Sequence, residues 1–310
     1  MKKKGYRIFL VFVALIFISG QSCERKDKGE GVFLGGKEGL VIDFVDDAPP
    51  LSGIFKDEPF PIDVELINKG ETDIGSGAAV IYLTGALSSS NALNVPTKQG
   101  SNDAFIAAIE DSEQGLVEDS LVVSLGTATY TGNILGDSVP LDARASVCYP
   151  YETQVQVDDF CVPSTSRRAT GTDDCTIITT ENIIKEKDNS GAPVHVNSLR
   201  EQQGPDFVRV TLDINNVGTG DVVVPGVCKR DLLREDLNQV KVKMPTNFAC
   251  SFREGESNEG MIELRGGHGV LRCKRDINNP GSAFKESVGI TLSYNYMQEI
   301  SKTVTINKGS

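Results

Sequence analysis

Two stretches of this chain alternate apolar and polar residues with a period of two. The first is Phe60-Pro61-Ile62-Asp63-Val64-Glu65-Leu66-Ile67-Asn68-Lys69-Gly70. The second is Phe207-Val208-Arg209-Val210-Thr211-Leu212-Asp213-Ile214-Asn215-Asn216-Val217-Gly218. Successive strand side chains face opposite ways, so a half-buried strand buries Ile62, Val64 and Leu66 in one and Val208, Val210, Leu212 and Ile214 in the other. Both stretches end in Asn-x-Gly: Asn68 with Gly70, and Asn216 with Gly218. Asn and Gly tolerate left-handed backbone, and the motif predicts a turn that uses it.

A second motif recurs behind the first. Cys148-Tyr149-Pro150-Tyr151 and Ser293-Tyr294-Asn295-Tyr296 each precede a strand-like run, at 153–157 and 300–306. Asn68 and Tyr149 are 81 residues apart, Asn216 and Tyr294 78. Two motifs in one order at nearly one spacing predict two related domains. Further short runs at 40–45, 79–83, 121–125, 194–199, 240–244, 261–264, 270–273 and 288–292 are separated by Gly, Pro, Asn and Asp. That is the pattern of an all-β fold made of β-sandwiches. The expected boundaries are a first sandwich at 32–162, a linker at 163–191 and a second sandwich at 192–310. Helical stretches are expected at 104–110 and 229–237, a mobile loop at 88–102, and a hairpin turn at Gly266-Gly267-His268-Gly269.

The chain opens on Lys2, Lys3, Lys4 and Arg7, then an apolar run from Ile8 to Ile18, then Ser19-Gly20-Gln21-Ser22-Cys23. A basic start, a short apolar segment and small residues predict a signal peptide at 1–22 and an exported protein. Eleven residues make about 16 Å of helix, short of the roughly 30 Å a membrane core needs. Cys23 stands where a lipid-modified cysteine would stand, although Gly20 departs from the Leu or Val usual in that motif. Residues 23–31 are polar and read as a tether. The expected localisation is the extracellular side of the cell membrane, with the N-terminus as membrane anchor.

Seven cysteines bear on that reading. Cys23 aside, six remain: Cys148, Cys161, Cys175, Cys228, Cys250 and Cys273. An even number in an exported chain favours disulfides. The expected local loops are Cys161–Cys175 and Cys250–Cys273, with Cys148 and Cys228 joined or free. The first loop would stiffen the linker and leave two domains standing as a semi-rigid rod.

Composition narrows the partners. The 310 residues carry a net charge of -12 with a pI near 4.8. Without residues 1–22 the balance is 27 basic against 43 acidic residues, a net of -16. An acidic chain with no basic block is a poor partner for nucleic acid.

Catalytic chemistry is thinly represented. The two histidines, His195 and His268, sit in no recognisable motif, and a nucleophile needs a base beside it. His195 reads as an exposed strand position and His268 as a surface turn. Asp46-Asp47, Asp158-Asp159 and Asp173-Asp174 are the carboxylate pairs an envelope hydrolase would use. Adjacent strand residues face opposite ways, so turn chemistry and solubility explain them better. The same acids lack EF-hand spacing for calcium, and no CxxC or clustered His suggests zinc. No metal or cofactor is expected. Tyr149, Tyr151, Tyr294 and Tyr296 are either sugar-stacking platforms or buried tyrosines bonded to backbone, with burial the expectation.

The strand through Val64-Glu65-Leu66-Ile67-Asn68-Lys69-Gly70, with its second copy through Asn216-Val217-Gly218, resembles the Asn-x-Gly strand of CARDB-type and related immunoglobulin-like modules of archaeal and bacterial surface proteins. The layout with Ala48-Pro49-Pro50, Cys148-Tyr149-Pro150-Tyr151, Gly191-Ala192-Pro193-Val194, Cys250 with Cys273, and Leu292-Ser293-Tyr294-Asn295-Tyr296 is similar to exported proteins of small-genome archaea. The resemblance covers most of 32–306. It implies two tandem immunoglobulin-like β-sandwiches and supplies no activity or functional residues. The expected function is a non-catalytic, membrane-anchored surface protein for adhesion, envelope or protein–protein contacts. The alternatives are a carbohydrate- or peptide-binding module and an envelope hydrolase.

Overall fold

The alternating stretches form strands with the buried faces their patterns require. In the computed structural model Ile62, Val64 and Leu66 point into the core from one strand, and Val208, Val210, Leu212 and Ile214 from another. The structure describes residues 31–95, 97–112, 115–164, 177, 182–277 and 283–309. Residues 1–30 lie outside it, and with them the signal segment, the tether and Cys23.

In chain order the first half contributes β1 (Leu40–Phe44), β2 (Ile54–Phe55), β3 (Pro59–Asn68), β4 (Val80–Gly85), β5 (Leu93–Asn94), β6 (Gln99–Ser101), β7 (Glu110–Ser112), β8 (Gly115–Val117), β9 (Asp119–Tyr130) and β10 (Ser138–Val162). The second half contributes β11 (Asn182–Ile183), β12 (Val194–Gln203), β13 (Phe207–Asn216), β14 (Asp221–Val223), β15 (Gln239–Lys243), β16 (Phe248–Phe252), β17 (Gly255–Ser257), β18 (Glu259–Glu263), β19 (His268–Asp276) and β20 (Phe284–Asn307).

Three sheets carry the core. The order β1-β3-β9-β5 makes one, and β11-β12-β13-β19-β16-β17 makes the second. The third is eight-stranded: β18-β15-β20-β10-β4-β6, with β2 and β14 also pairing β20. Its centre is the antiparallel pair β10–β20, matched from Ser138 with Asn307 to Val162 with Phe284 and broken by one bulge after Val157. This register sets Tyr149 opposite Tyr296 and Tyr151 opposite Tyr294. Residues two apart on a strand share a face, so the repeated Tyr-x-Tyr becomes one layer of four rings with neighbouring centroids 5.6–6.4 Å apart.

The all-β class stands, but the halves do not stand apart as a rod. Each gives its last long strand to the shared sheet. β1 of the first half touches β20 of the second, and β12 touches β10. One hydrophobic core runs from Leu40 to Ile306, and Gly31–Ser310 form one compact unit. The physical reason is the strand edge. An unpaired long edge presents a row of N–H and C=O groups, and pairing β10 with β20 removes that edge from both halves.

Several local expectations change. Residues 104–110 form no helix, and Ile106 is bridged to Ile74 and fully buried. Residues 229–237 hold only the single 3-10 turn Arg234–Asp236. The 88–102 stretch is anchored: it contains β5 and β6, and buried Asn102 accepts the Ala79 N–H and donates to the Gly75 and Ala104 carbonyls. Gly266 and Gly267 make the tight turn with positive φ. The strands it joins then part, β18 to β15 and β19 to β13 and β16.

Candidate functional site

The sequence motifs converge on the tyrosine layer. Asn68, fully buried at the end of β3, accepts the Gly70 N–H and donates to the Thr72 and Ala107 carbonyls. Asn216 donates to the Gly220 carbonyl and accepts the Tyr296 hydroxyl proton. The Tyr151 hydroxyl accepts the Thr72 N–H at 3.3 Å and donates to the Gly191 carbonyl. The Tyr296 hydroxyl accepts the Gly220 N–H at 2.7 Å. Buried Thr153 donates to the Val194 carbonyl and bonds the Tyr294 hydroxyl.

The glycines serve a different purpose from the expected one. Neither Gly70 nor Gly218 has positive φ. A Cβ on Gly70 would overlap the Tyr151 hydroxyl, and one on Gly218 the Tyr296 hydroxyl. They are glycine because a phenol packs against their Cα. The four rings are at most 3% exposed, so they offer no platform to a sugar. Burial raises the phenol pKa of Tyr149 and Tyr294 well above its usual value and pushes that of Tyr296 up to about 12.

The cysteines cross-link this frame. Cys148 of β10 is joined to Cys228 of the second half, with Cα atoms 5.6 Å apart. The Tyr82 hydroxyl donates to the Cys228 carbonyl, and buried Asn295 holds the same turn by accepting the Gly226 N–H and donating to the Val227 carbonyl. Cys250 and Cys273 face each other across β16 and β19. Cys161 is disulfide-bonded. The expected Cys161–Cys175 pairing involves Cys175, which lies outside the described residues.

His195 corrects the exposed-strand expectation. It is 4% exposed, its Nε2 lies 3.0 Å from the Gly36 carbonyl oxygen, and burial lowers its pKa. A carbonyl only accepts, so Nε2 carries the proton. His268 is exposed, with Nδ1 2.8 Å from both Asp213 and Asn215. Asp46 and Asp47 are exposed in the turn before Pro49, and exposed Asp158 and Asp159 form the β10 bulge, where Asp159 pairs with Lys285 at 3.0 Å. Asp173 and Asp174 lie outside the described residues.

The chemistry that sequence reading missed lies on the outward face of β12, β13 and β19. The register lines up Arg200, Thr211 and Arg272 in one row and Ser198, Asp213 and Val270 in the next. These six residues line a depression of about 260 Å³. Arg200, Arg272 and Val270 are exposed. Among the described residues, the side chains of Arg200 and Arg272 make no hydrogen bond or ion pair. In the following row, Arg209 and Lys274 stack over the Phe207 ring at 5.6 and 4.9 Å, and Lys274 also pairs with Asp276.

The internal repeat supplies a comparison within the chain. Counted back from Asn68 and Asn216, Glu65 matches Asp213 and Asp63 matches Thr211. Across the next strand Val122 then matches Val270, and Ser124 matches Arg272. The first half thus builds the same face with Asp43, Asp63 and Glu65, and with Ser124 in place of an arginine. The first half forms its sheet with no guanidinium at the place of Arg272. The signal was present in the alternation of β13 and β19, but only the register reveals that Arg200 joins it.

Neither the family models nor the curated proteins give a match. Three solved structures show faint likeness. A secreted serine protease, VesC from Vibrio cholerae, has 10% identity and a TM-score of 0.20, over 83% of this chain and 50% of that one. The C-terminal globular domain of an oligosaccharyltransferase from Pyrococcus abyssi has 8% identity and a TM-score of 0.18, over 83% and 46%. The CupB6 tip adhesin from Pseudomonas aeruginosa has 10% identity and a TM-score of 0.13, over 89% and 97%. The chain spans about half the length of the first two. Similarity at this level carries no argument about fold or function.

Proposed function

We propose that this chain is a non-catalytic, exported immunoglobulin-like protein, anchored to the membrane at its N-terminus. It makes adhesive, envelope or protein contacts through the outward face of β12, β13 and β19. The observation that carries this reading is the pair Arg200 and Arg272, exposed on an acidic chain with no side-chain partner among the described residues, with Ser124 at the repeat counterpart of Arg272. Two like charges on one sheet face add nothing to stability, and their value lies in what they meet. The Tyr151, Tyr294 and Tyr296 hydroxyls, by contrast, are committed to main-chain partners and hold the frame. Paired cysteines are compatible with an extracellular setting, and the basic, apolar start ending at Cys23 supports export and anchoring.

Cells displaying the full chain test the reading. Adhesion to isolated envelope should fall with Arg200→Glu/Arg272→Glu at equal surface display. Equal adhesion would remove this face from the function. Intact mass of the membrane-fraction protein tests the anchor: loss of 1–22 and added lipid at Cys23 are expected, and a full-length, unlipidated chain would overturn it.

A further inference from the structure

The geometry points to a binding site for a carboxylated sugar, a uronate unit of an acidic polysaccharide, between Arg200 and Arg272. This rests on the proposal that the outward face is the contact surface, and it names the ligand class.

Strands in a sheet lie about 4.8 Å apart, so the Cα atoms of Arg200 and Arg272, two strands apart, are separated by about 10 Å. Both arginines line the depression from either side of Thr211, and stems of this length can span that gap. Each offers a planar fork of donors that suits a carboxylate in bidentate geometry. The centre of the site decides which anion fits. Asp213 lines the same depression, and its carboxylate repels a ligand that brings only negative charge, such as a sulfated polymer, an acidic peptide or a phosphate backbone. A uronate brings hydroxyls as well. Those donate to Asp213, while the sugar carboxylate takes the arginines and the sugar C–H face lies on Val270.

A polymer also has somewhere to continue. Val270 is shared with a neighbouring groove of about 700 Å³ whose lining carries both charges, Arg253, Arg265 and His268 beside Glu235, Glu254 and Glu263. The acidic face of the first half, with Asp43, Asp63 and Glu65, would suit a second copy of this chain. Asp213 opposes that occupant as it opposes other acidic proteins.

Calorimetry on the full-length protein, solubilised and oxidised, tests the site with three probes: polygalacturonate, its methyl ester and dextran sulfate. Polygalacturonate should bind, and methyl esterification, which removes the charge and keeps the sugar, should weaken binding about tenfold or more. Arg200→Ala/Arg272→Ala should do the same with the melting temperature unchanged. The lysine pair, which keeps charge without the fork, should fall between. Asp213→Asn should weaken polygalacturonate and strengthen dextran sulfate. The proposal is overturned if folded wild-type protein ignores polygalacturonate, binds its ester equally, or prefers dextran sulfate. An arginine-dependent self-association seen by sedimentation in place of sugar binding would also overturn it. If adhesion still depends on the arginines while polygalacturonate fails, the face survives and the ligand class falls.

Discussion

Tyr151 and Tyr296 hold equivalent places in the two halves: each hydroxyl accepts the main-chain N–H four residues beyond its own Asn-x-Gly asparagine, that of Thr72 for Tyr151 and of Gly220 for Tyr296. Each also packs on the motif glycine, leaving no room for a Cβ. One hydroxyl therefore serves as hydrogen-bond acceptor and as wall. Gly218→Ala should cost about 1–3 kcal/mol through overpacking. Tyr296→Phe should cost about 1–3 kcal/mol by leaving the Gly220 N–H without its acceptor. The double variant should cost less than the sum, because the phenylalanine removes the atom the new methyl strikes. Urea unfolding of the four proteins measures this, and strict additivity would show that the contact is not shared.

Cys148 and Cys228 are separated by 80 residues and lie in different halves. Cross-linking restricts the unfolded chain more as the closed loop lengthens, so removing this bond should cost about 4 kcal/mol. The Cys250–Cys273 bond closes a separation of 23 residues and should be worth about 3 kcal/mol. Non-reducing peptide mapping should find Cys148 with Cys228 and Cys250 with Cys273. The Cys148→Ala/Cys228→Ala variant should lose more stability than Cys250→Ala/Cys273→Ala, and the reverse order would mean that native contacts outweigh loop entropy.

Much of this was legible in the sequence because it is local. Alternation places Val208, Val210, Leu212 and Ile214 on one buried face whatever the partner strand is. The recurrence of Asn-x-Gly and Tyr-x-Tyr exposes the repeat. What could not be read is the pairing of strands far apart in the chain. The junction of β10 with β20 depends on which edges meet, and no residue within either strand states that. His195 shows the same limit, since its burial comes from Gly36, 159 residues away. The Arg200–Arg272 row needs two registers at once, and the bulge between Val196 and Ser198 shifts the alternation of β12 by one residue just before Arg200.

Glu71 ties the start of the described chain to the start of the second half. Its carboxylate accepts the N–H groups of Leu34, Gly35 and Gly191 at 3.0, 2.9 and 2.6 Å. Hydrogen bonds to a charged group are worth about 1.5–3 kcal/mol each in favourable settings. Glu71→Ala should therefore cost at least about 2 kcal/mol, and the loss should be local first. Amide exchange at Leu34, Gly35 and Gly191 should accelerate more than exchange in β13. Glu71→Gln keeps an acceptor and should recover part of the protection. Uniform acceleration across the molecule would mean that Glu71 supports the global fold and has no special hold on these segments.

His195 makes stability depend on pH in a stated direction. Burial, the largest influence, lowers its pKa from 6.5, while hydrogen bonds to Gly36 and Ala192 and the charge of Glu186 pull the other way without prevailing. The folded protein therefore releases this proton at a lower pH than the unfolded chain does. Between the two values the unfolded state binds more protons, so stability rises with pH there. Above the unfolded value the residue imposes no penalty. The penalty grows as pH falls through 6.5 and becomes constant below the folded value. His195→Gln keeps an N–H for the Gly36 carbonyl and removes the titration. Urea midpoints for both proteins from about pH 7.5 to about pH 5 isolate the effect, because carboxylates shared by the two cancel in the difference. The wild type should lose stability relative to His195→Gln as pH falls. A difference that stays constant over that range would show that His195 holds its proton equally in both states.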